Sequence, residues 1–357
     1  MTDQQNVHGG NILATARKLG CAVDELIDMS SNLTPLGMAP GLVEDLAARL
    51  GEIRFLPESG SETLVALFAV RHGLRPAQVL AGTGTTEFIH GLPAALGLRQ
   101  GLIVTPTYAD YQVACQLAGM AVESFPLRPE EGFRLDLAQL SAQLAGGELV
   151  FICNPNNPTG GMVSSAALHQ LAKNHPDTVF LVDESYISFL REPSLVGFPR
   201  LDNLFVLGSF SKVYGIPGLR LGFLIASEGG MQRLVARSKP WGVNRLAQLA
   251  GEFLLQHGDA YVAEAVRFLE QHRPAFVRGL AALPGVEVMP GEAHFILCFL
   301  HGAMRAAELR EKMLARRIMI RDCANFSGLD DRYFRVSMQS EANNQQCLAA
   351  LADILKT

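Results

Sequence analysis

Short, uninterrupted apolar segments recur through the middle of the chain and alternate with stretches of helical pattern. The apolar segments are 101–105, 148–153, 178–183, 203–208 and 220–226. Helical patterns lie between most of them, for example at 111–117 and 164–171. Apolar segments of this length are typical of strands that are buried on both faces. The pattern therefore predicts an α/β fold with a mostly parallel sheet covered by helices on both faces.

The pattern changes in the last third of the chain. One long helix is predicted at 243–271, and a compact α+β unit follows it. Its predicted strands are 286–289, 294–300, 317–321 and 333–338, and its predicted helices are 303–316 and 341–355. An amphipathic helix near the N-terminus has its apolar face at Ile12, Leu13, Ala16 and Leu19. We therefore predict a large domain over 41–255, a small C-terminal α+β domain over 256–357, and a segment 1–40 that packs with the small domain.

Composition narrows the classes of function. The chain has 357 residues, of which 48% are hydrophobic and 18% charged, so it can bury a large core. A formal net charge of -5 argues against nucleic acid or an anionic membrane as the main partner. No apolar run reaches the ~18 residues that a membrane helix needs, and the N-terminus lacks a signal-peptide pattern. Six scattered cysteines form no C-x-x-C pair and no metal-ligand spacing. We expect a cytoplasmic protein with reduced thiols and no metal.

The segment after the fourth apolar stretch carries the clearest chemistry. It reads S-F-S-K-V-Y-G-I-P-G-L-R over 209–220. Ser209, Ser211, glycine amides and Arg220 could together surround a phosphate, and Lys212 lies among them. Pyridoxal phosphate needs this combination, because its aldehyde requires a lysine and its phosphate requires a fixed anchor. Taken alone, Lys212 could also be an ordinary surface lysine after a strand.

Two further candidates follow the apolar segment T-V-F-L-V-D-E. A carboxylate at Asp183 would be costly to bury unless it met a cation, and a protonated pyridine nitrogen would be such a cation. Asp183 could instead cap the next helix. Tyr186 could donate to the phenolic oxygen of the cofactor, or it could be a half-buried aromatic residue in a loop.

Three other segment ends also carry polar groups. The proline-fixed loop N-P-N-N-P-T-G (154–160) offers Asn157 for the same phenolic oxygen, unless it is a simple turn. Gly84, Thr85 and Thr86 open an apolar helical run and offer backbone amides to a phosphate, although threonine is also a common N-cap. Tyr108 could stack on a flat ring or serve only in packing. Because the carboxyl ends of parallel strands meet at one edge, we expect a single site there.

Together these motifs resemble fold-type I pyridoxal-phosphate enzymes of the class I/II aminotransferase superfamily, over nearly the whole chain. N-P-N-N-P-T-G, V-D-E-S-Y, S-F-S-K-x-x-G-x-x-G-L-R and F-R-V-S occur in the family's order and usual spacing. The resemblance implies pyridoxal 5′-phosphate as the cofactor. It implies that Lys212 carries the Schiff base and that Asp183 pairs with the pyridine nitrogen. It also implies that Asn157 and Tyr186 contact the phenolic oxygen, that Tyr108 stacks on the ring, and that Arg335 receives the substrate carboxylate. The phosphate would be held by Ser209, Ser211, Arg220, Thr85 and Thr86.

Two groups within this family compete as the nearest resemblance. H-G-G-N (8–11), D-M-S-S-N-L-T-P-L-G (28–37) and K-P-W-G-V-N (239–244) are similar to segments of the threonine-phosphate decarboxylases, which serve the synthesis of the cobalamin side chain. We therefore expect decarboxylation of a small phosphorylated amino acid, L-threonine O-3-phosphate, to aminopropanol phosphate. A histidinol-phosphate or related aminotransferase is the alternative. A catalytically idle regulator that binds the cofactor is a second one.

The choice between these reactions depends on how the substrate's phosphate and carboxylate are held. The candidates are Arg335, Arg321, Asn32 and His8, although His8 could be an uninvolved surface histidine. The resemblance also implies a homodimer, and two positions depart from the family's pattern. Leu56 stands where relatives usually carry a tyrosine that crosses to the partner subunit's cofactor phosphate. Thr34 replaces the second asparagine of the N-terminal motif, so both changes leave the exact substrate open.

Overall fold

The computed structural model describes residues 9–235 and 239–356. The strands are β1 (Ile27–Asp28), β2 (Val79–Gly82), β3 (Gln100–Thr105), β4 (Ala121–Pro126), β5 (Glu148–Cys153), β6 (Val179–Asp183), β7 (Leu204–Ser209), β8 (Gly222–Ile225), β9 (Val286–Val288), β10 (Phe295–Leu300), β11 (Ile318–Met319), β12 (Arg321–Asp322) and β13 (Tyr333–Ser337). The helices are α1 (Ile12–Leu19), α2 (Leu42–Ala48), α3 (Glu62–His72), α4 (Thr85–Leu96), α5 (Asp110–Leu117), α6 (Leu137–Gln143), α7 (Ser165–Asn174), α8 (Phe210–Val213), α9 (Glu228–Val235), α10 (Arg245–His257), α11 (Asp259–Ala281), α12 (Ala306–Leu314) and α13 (Glu341–Leu355).

The large sheet confirms the predicted α/β architecture. Among the described residues it has the strand order β2-β8-β7-β6-β5-β3-β4. Of these seven described strands, six run in the same direction and β8 runs opposite to them. Every residue of β5 and β6 is buried, as expected for strands covered on both faces.

The two strands that the sequence pattern missed are the two edges of this sheet. β2 has only four residues, and β4 buries only Phe125 fully. An edge strand has a neighbour on one side only, so its sequence needs no continuous apolar run. Hydrophobic periodicity therefore found the centre of the sheet and not its borders.

The predicted long helix at 243–271 is wrong in its middle. The structure divides it into α10 and α11 at Gly258, and α11 extends to Ala281. A Cβ atom at Gly258 would lie 2.5 Å from the Leu254 carbonyl oxygen and 2.8 Å from the ring of Tyr214. Only glycine fits so close to Leu254 and Tyr214.

The C-terminal part forms a second, antiparallel sheet of order β12-β13-β10-β9. The predicted strand 317–321 is in fact two short strands, since β11 pairs with β1 and β12 pairs with β13. The β1–β11 pairing joins residues 27–28 of the N-terminal segment to this part of the chain. The domain boundaries near residues 40 and 255 stay a prediction.

The core is continuous between the two sheets. One cluster of buried apolar side chains includes Phe151 and Leu181 of the large sheet together with Phe295 and Phe334 of the small one. Residues at the carboxyl ends of β5, β6 and β7 line one cavity together with Arg335 of β13. None of the helices in the described part of the chain is long and apolar enough to cross a membrane.

Candidate active site

A cavity of about 230 Å³ opens where the strand ends of the large sheet meet the small sheet. Every predicted site residue that the structure describes lines it. These residues are Asn32, Gly84, Thr85, Thr86, Tyr108, Asn157, Asp183, Tyr186, Ser209, Ser211, Lys212, Arg220, Arg321 and Arg335. His8 lies outside the described residues. The fold therefore brings the motifs that carry these residues to one cavity, and the roles assigned to them stay predictions.

Asp183 ends β6 and is only 5% exposed. Its Oδ2 accepts a hydrogen bond from the Tyr111 hydroxyl at 2.8 Å, and its Oδ1 accepts one from the Ser185 amide at 2.9 Å. Burial raises the pKa of this carboxyl, and these hydrogen bonds and the Lys212 charge only partly oppose that effect. A cation in the cavity would stabilise the carboxylate further.

Lys212 lies in α8, directly after β7, and is half-buried. Its Nζ donates to the Ser31 carbonyl oxygen at 3.5 Å. Burial lowers the pKa of this amine to about 8, and the charges of Arg335 and Arg220 contribute to that shift. A larger fraction of this amine than of an ordinary lysine is therefore neutral near physiological pH, and the neutral amine is the nucleophilic form.

One end of the cavity is built by the start of α4. Gly84 has φ +78° and ψ 170°, and Thr85 and Thr86 begin the helix behind it. Arg220, itself in the left-handed region at φ +60°, places its guanidinium against Gly84. Backbone amides at a helix start and an arginine beside them form an anion site.

Two arginines of the small sheet form the opposite end. Arg321 and Arg335 are direct partners across β12 and β13, so their side chains project from the same face. Both are buried, and burial lowers the pKa of each guanidinium. Arg335 donates to Asn157 Oδ1 and, at 2.7 Å, to the Ser30 carbonyl oxygen. Its Nε has no hydrogen-bond partner among the described residues, and no described carboxylate forms an ion pair with it.

Asn32 connects the N-terminal segment to the phenol of Tyr186. Its Nδ2 donates to the Tyr186 hydroxyl at 3.3 Å, and its Oδ1 accepts from Ser337 Oγ at 2.6 Å. Asn32 adopts φ +53°, a conformation that asparagine tolerates better than most residues. Asn32 therefore orients Tyr186 from one side of the cavity.

The comparisons with known proteins agree with this geometry. The family model for aminotransferase class I and II matches residues 25–352. The chain belongs to this family. It is 37% identical to the threonine-phosphate decarboxylase of Salmonella typhimurium, covering 98% of this chain and 97% of that protein. It is 30% identical to the histidinol-phosphate aminotransferase of Methanothermobacter thermautotrophicus, covering 98% of this chain and 94% of that protein.

A solved structure gives the same picture of the fold. The crystal structure of L-threonine-O-3-phosphate decarboxylase from Porphyromonas gingivalis matches with a TM-score of 0.86 and 33% identity, covering 93% of this chain and all of that chain. The predicted family and fold are thereby confirmed. Membership of the family also supports the predicted cofactor, pyridoxal 5′-phosphate.

The side chains of this aminotransferase-family site fit that cofactor. Asp183 is a buried carboxylate whose raised pKa calls for a cation, as a protonated pyridine nitrogen would be. Gly84 keeps the start of α4 open, because a Cβ there would lie 2.6 Å from Arg220 Nη2. Lys212 supplies an amine in the same cavity. The donor set therefore matches a ring nitrogen, an aldehyde and a phosphate.

Sequence reasoning missed several residues that line the cavity. They are Gly9, Ser30, Ser31, Ala109, Tyr111, Cys153, Ser185, Asn325 and Phe326. Tyr111 had a detectable signal, since it begins a helical pattern only three residues after Tyr108, and the two rings meet at 5.7 Å. Asn325 and Phe326 belong to no recognised motif, and only the fold brings them to the site.

The two departures from the family's pattern lie away from this chain's own cavity lining. Thr34 Oγ1 contacts the Tyr261 hydroxyl at 3.0 Å, and its backbone amide donates to the Lys212 carbonyl oxygen at 3.1 Å. Thr34 thus supports the loop behind the lysine and does not line the cavity. Leu56 is 76% exposed on the surface.

Proposed function

We propose that this enzyme decarboxylates L-threonine O-3-phosphate with the aid of pyridoxal phosphate, giving aminopropanol phosphate and carbon dioxide for the synthesis of the cobalamin side chain. The observation that carries the proposal is the pair of buried arginines, Arg321 and Arg335, in the cavity that also holds Lys212. Similarity to threonine-phosphate decarboxylases supports it.

The two guanidinium groups are buried, and the charge of Arg335 opposes that of Arg321, so anionic groups of a substrate would stabilise the pair. Threonine phosphate carries a carboxylate and a phosphate a few bonds apart. Histidinol phosphate carries a phosphate and no carboxylate, so in an aminotransferase the second arginine would be used by the carboxylate of 2-oxoglutarate or glutamate. Guanidinium groups bind either anion through two parallel hydrogen bonds. The arginine pair therefore favours a small substrate with two anionic groups.

We assign Arg335 to the substrate carboxylate. Its Nε has no partner among the described residues, while its other nitrogens are fixed by Asn157 and the Ser30 carbonyl oxygen. Arg321 is then assigned to the substrate phosphate. Such fixed contacts would set which bond at the substrate Cα stands in the reactive orientation.

The remaining roles belong to the cofactor end. When bound, pyridoxal phosphate supplies the electron sink that accepts the electrons of the broken bond. Asp183 would pair with the ring nitrogen, Tyr186 and Asn157 would contact the phenolic oxygen, and Tyr108 would stack on the ring. Gly84, Thr85, Thr86, Ser209, Ser211 and Arg220 would hold the phosphate. Lys212 would bind the aldehyde. It would later donate a proton to the substrate Cα, and this proton would take the place of the carboxylate that leaves as carbon dioxide.

The deciding experiment gives the purified enzyme threonine phosphate in one assay and histidinol phosphate with 2-oxoglutarate in another. We expect carbon dioxide release from the first and no glutamate from the second. Glutamate formation without carbon dioxide release would overturn the proposal in favour of an aminotransferase.

The role of Lys212 has its own test. The bound cofactor should absorb near ~420 nm, a general property of pyridoxal phosphate joined to a lysine. We expect Lys212→Ala to abolish this band and the carbon dioxide release together. Lys239→Ala, which changes an exposed lysine of the 239–244 segment, is the matched control and should keep both. A band that persists in Lys212→Ala would show that another amine holds the cofactor.

We also propose a homodimer in the cytoplasm. Ile53, Phe55, Leu56 and Trp241 are each more than half exposed, and the Trp241 amide donates to the Ser59 carbonyl oxygen, so the two segments are neighbours. An exposed apolar surface of this kind supports an interface between subunits. All six cysteines are unpaired, which fits a reducing compartment. Sedimentation should give a dimer, and Trp241→Glu should weaken it; a monomeric wild type would refute the dimer.

A further inference from the structure

Tyr111 is a buried tyrosine whose hydroxyl points at the catalytic carboxylate. It lies in the first turn of α5 and is only 1% exposed. Its Oη donates to Asp183 Oδ2 at 2.8 Å. A buried phenol that donates to a buried carboxylate is a charge-assisted hydrogen bond in a medium of low dielectric constant, which makes it strong.

The ring of Tyr111 is itself fixed on two sides. It stacks on Phe151 of β5 with 5.2 Å between ring centroids and 27° between planes. It meets the edge of Tyr108 at 5.7 Å and 83°. Tyr108 lines the same cavity. Tyr111 therefore connects Tyr108, which is proposed to stack on the cofactor ring, with Asp183, which is proposed to pair with the ring nitrogen of the cofactor.

We propose that Tyr111 is a positioning residue, which fixes the Asp183 carboxylate and stabilises its ionised form, and so strengthens the binding of the pyridine nitrogen. The inference rests on the proposed role of Asp183. It assigns to Tyr111 no contact with the substrate or with the cofactor itself. Its action passes through Asp183 Oδ2.

The balance of charges around Asp183 makes this hydrogen bond matter. Burial raises the pKa of the carboxyl, and the hydrogen bonds from Ser185 and Tyr111 are the main opposing effects. The other titratable groups that face it are Lys212, which favours its ionised form, and Cys153, Tyr108, Tyr186 and Glu184 from the neighbouring elements. Of these groups only Lys212 is a cation, and its amine is the group that would be used in binding an aldehyde. The donation from Tyr111 then remains.

The test compares Tyr111→Phe with two reference variants. Asp183→Asn removes the carboxylate itself. Tyr261→Phe removes another buried tyrosine hydroxyl, one that contacts Thr34 and the Gly37 carbonyl oxygen and no charged group among the described residues. Pyridoxal phosphate affinity is measured for each by titration of the cofactor-free protein, and the melting temperature of the cofactor-free protein is measured from pH 5 to pH 9.

We expect Tyr111→Phe to weaken pyridoxal phosphate binding by roughly tenfold or more, since a hydrogen bond to a charged group is lost. Tyr261→Phe should change it by less than about twofold. In the cofactor-free protein the raised pKa of Asp183 means that its contribution to stability is lost as pH rises through that pKa. Tyr111→Phe should therefore lower the melting temperature more at high pH than at low pH, whereas Tyr261→Phe should lower it equally across the range.

Two outcomes would overturn the inference in distinguishable ways. If Asp183→Asn weakens cofactor binding but Tyr111→Phe does not, and the stability loss of Tyr111→Phe is independent of pH, then Tyr111 serves in packing only. If Asp183→Asn leaves cofactor binding unchanged, the proposed role of Asp183 fails and the role of Tyr111 fails with it.

Discussion

Replacing Gly84 by alanine should weaken the affinity for pyridoxal phosphate by displacing the side chain of Arg220. Gly84 precedes α4 with φ +78° and ψ 170°, a conformation that only glycine adopts readily. The added Cβ would lie 2.6 Å from Arg220 Nη2 and 3.1 Å from its Cζ. The guanidinium is the flexible end of a long side chain, so it can move away, but it then leaves the place from which it would contact the phosphate.

The magnitude has two parts. Forcing alanine into this backbone conformation costs about 1–3 kcal/mol of folding free energy. Losing one charge-assisted contact to the phosphate costs about 1.5–3 kcal/mol of binding free energy, or a roughly tenfold to hundredfold weaker affinity. The first part lowers the melting temperature and the second raises the dissociation constant of pyridoxal phosphate.

Gly97→Ala, at the other end of α4, separates the two parts. Gly97 has φ +65° and ψ 21°, and a Cβ there would meet no atom within 4 Å. This variant should lose about 1–2 kcal/mol of stability from the left-handed backbone alone and keep the wild-type cofactor affinity. Fluorescence titration and thermal melting measure both quantities. If Gly84→Ala binds pyridoxal phosphate as tightly as Gly97→Ala, Arg220 does not hold the phosphate in the way we propose.

Three further predictions concern two residues of this cavity and one buried carboxyl next to Asp183 in the chain. Arg335→Gln should lower kcat/KM for threonine phosphate by about a hundredfold, because the contact to the carboxylate is lost, and should change the affinity for pyridoxal phosphate much less. Steady-state kinetics and a cofactor titration measure the two quantities. The prediction fails if the affinity for pyridoxal phosphate falls by a larger factor than kcat/KM. Capture of pyridoxal phosphate by the cofactor-free enzyme should accelerate as pH rises through about 8, because burial and nearby arginines lower the pKa of Lys212 to that value; a stopped-flow rate that is flat between pH 6 and pH 9 would refute it. The Glu184 carboxyl accepts hydrogen bonds from Ser194 Oγ and the Leu195 amide. Burial raises its pKa from 4.5 to about 7. Its contribution to stability is therefore present below pH 4.5 and is lost as pH rises through 7. Glu184→Gln should remove this slope from a plot of melting temperature against pH, and an unchanged slope would assign it to another group.

The sequence was most informative about the residues that follow the central strands. Asn157, Asp183 and Lys212 could be placed at one site because β5, β6 and β7 are continuously apolar and end in polar residues. Parallel strands direct those ends to one edge of the sheet, so three local patterns determine one three-dimensional cluster. The cofactor could therefore be predicted from these local patterns together with the family that they resemble.

The substrate end was harder to predict, because it depends on pairings between segments with weak local signals. Arg321 and Arg335 become neighbours only through the β12–β13 register, and β12 is two residues long. A shift of one residue in that register would send one guanidinium to the opposite face of the sheet and leave the cavity with a single arginine. Recognition of a substrate with two anionic groups thus rests on a short strand held by its neighbours. For this reason the strand-end motifs identify the cofactor more firmly than they identify the reaction.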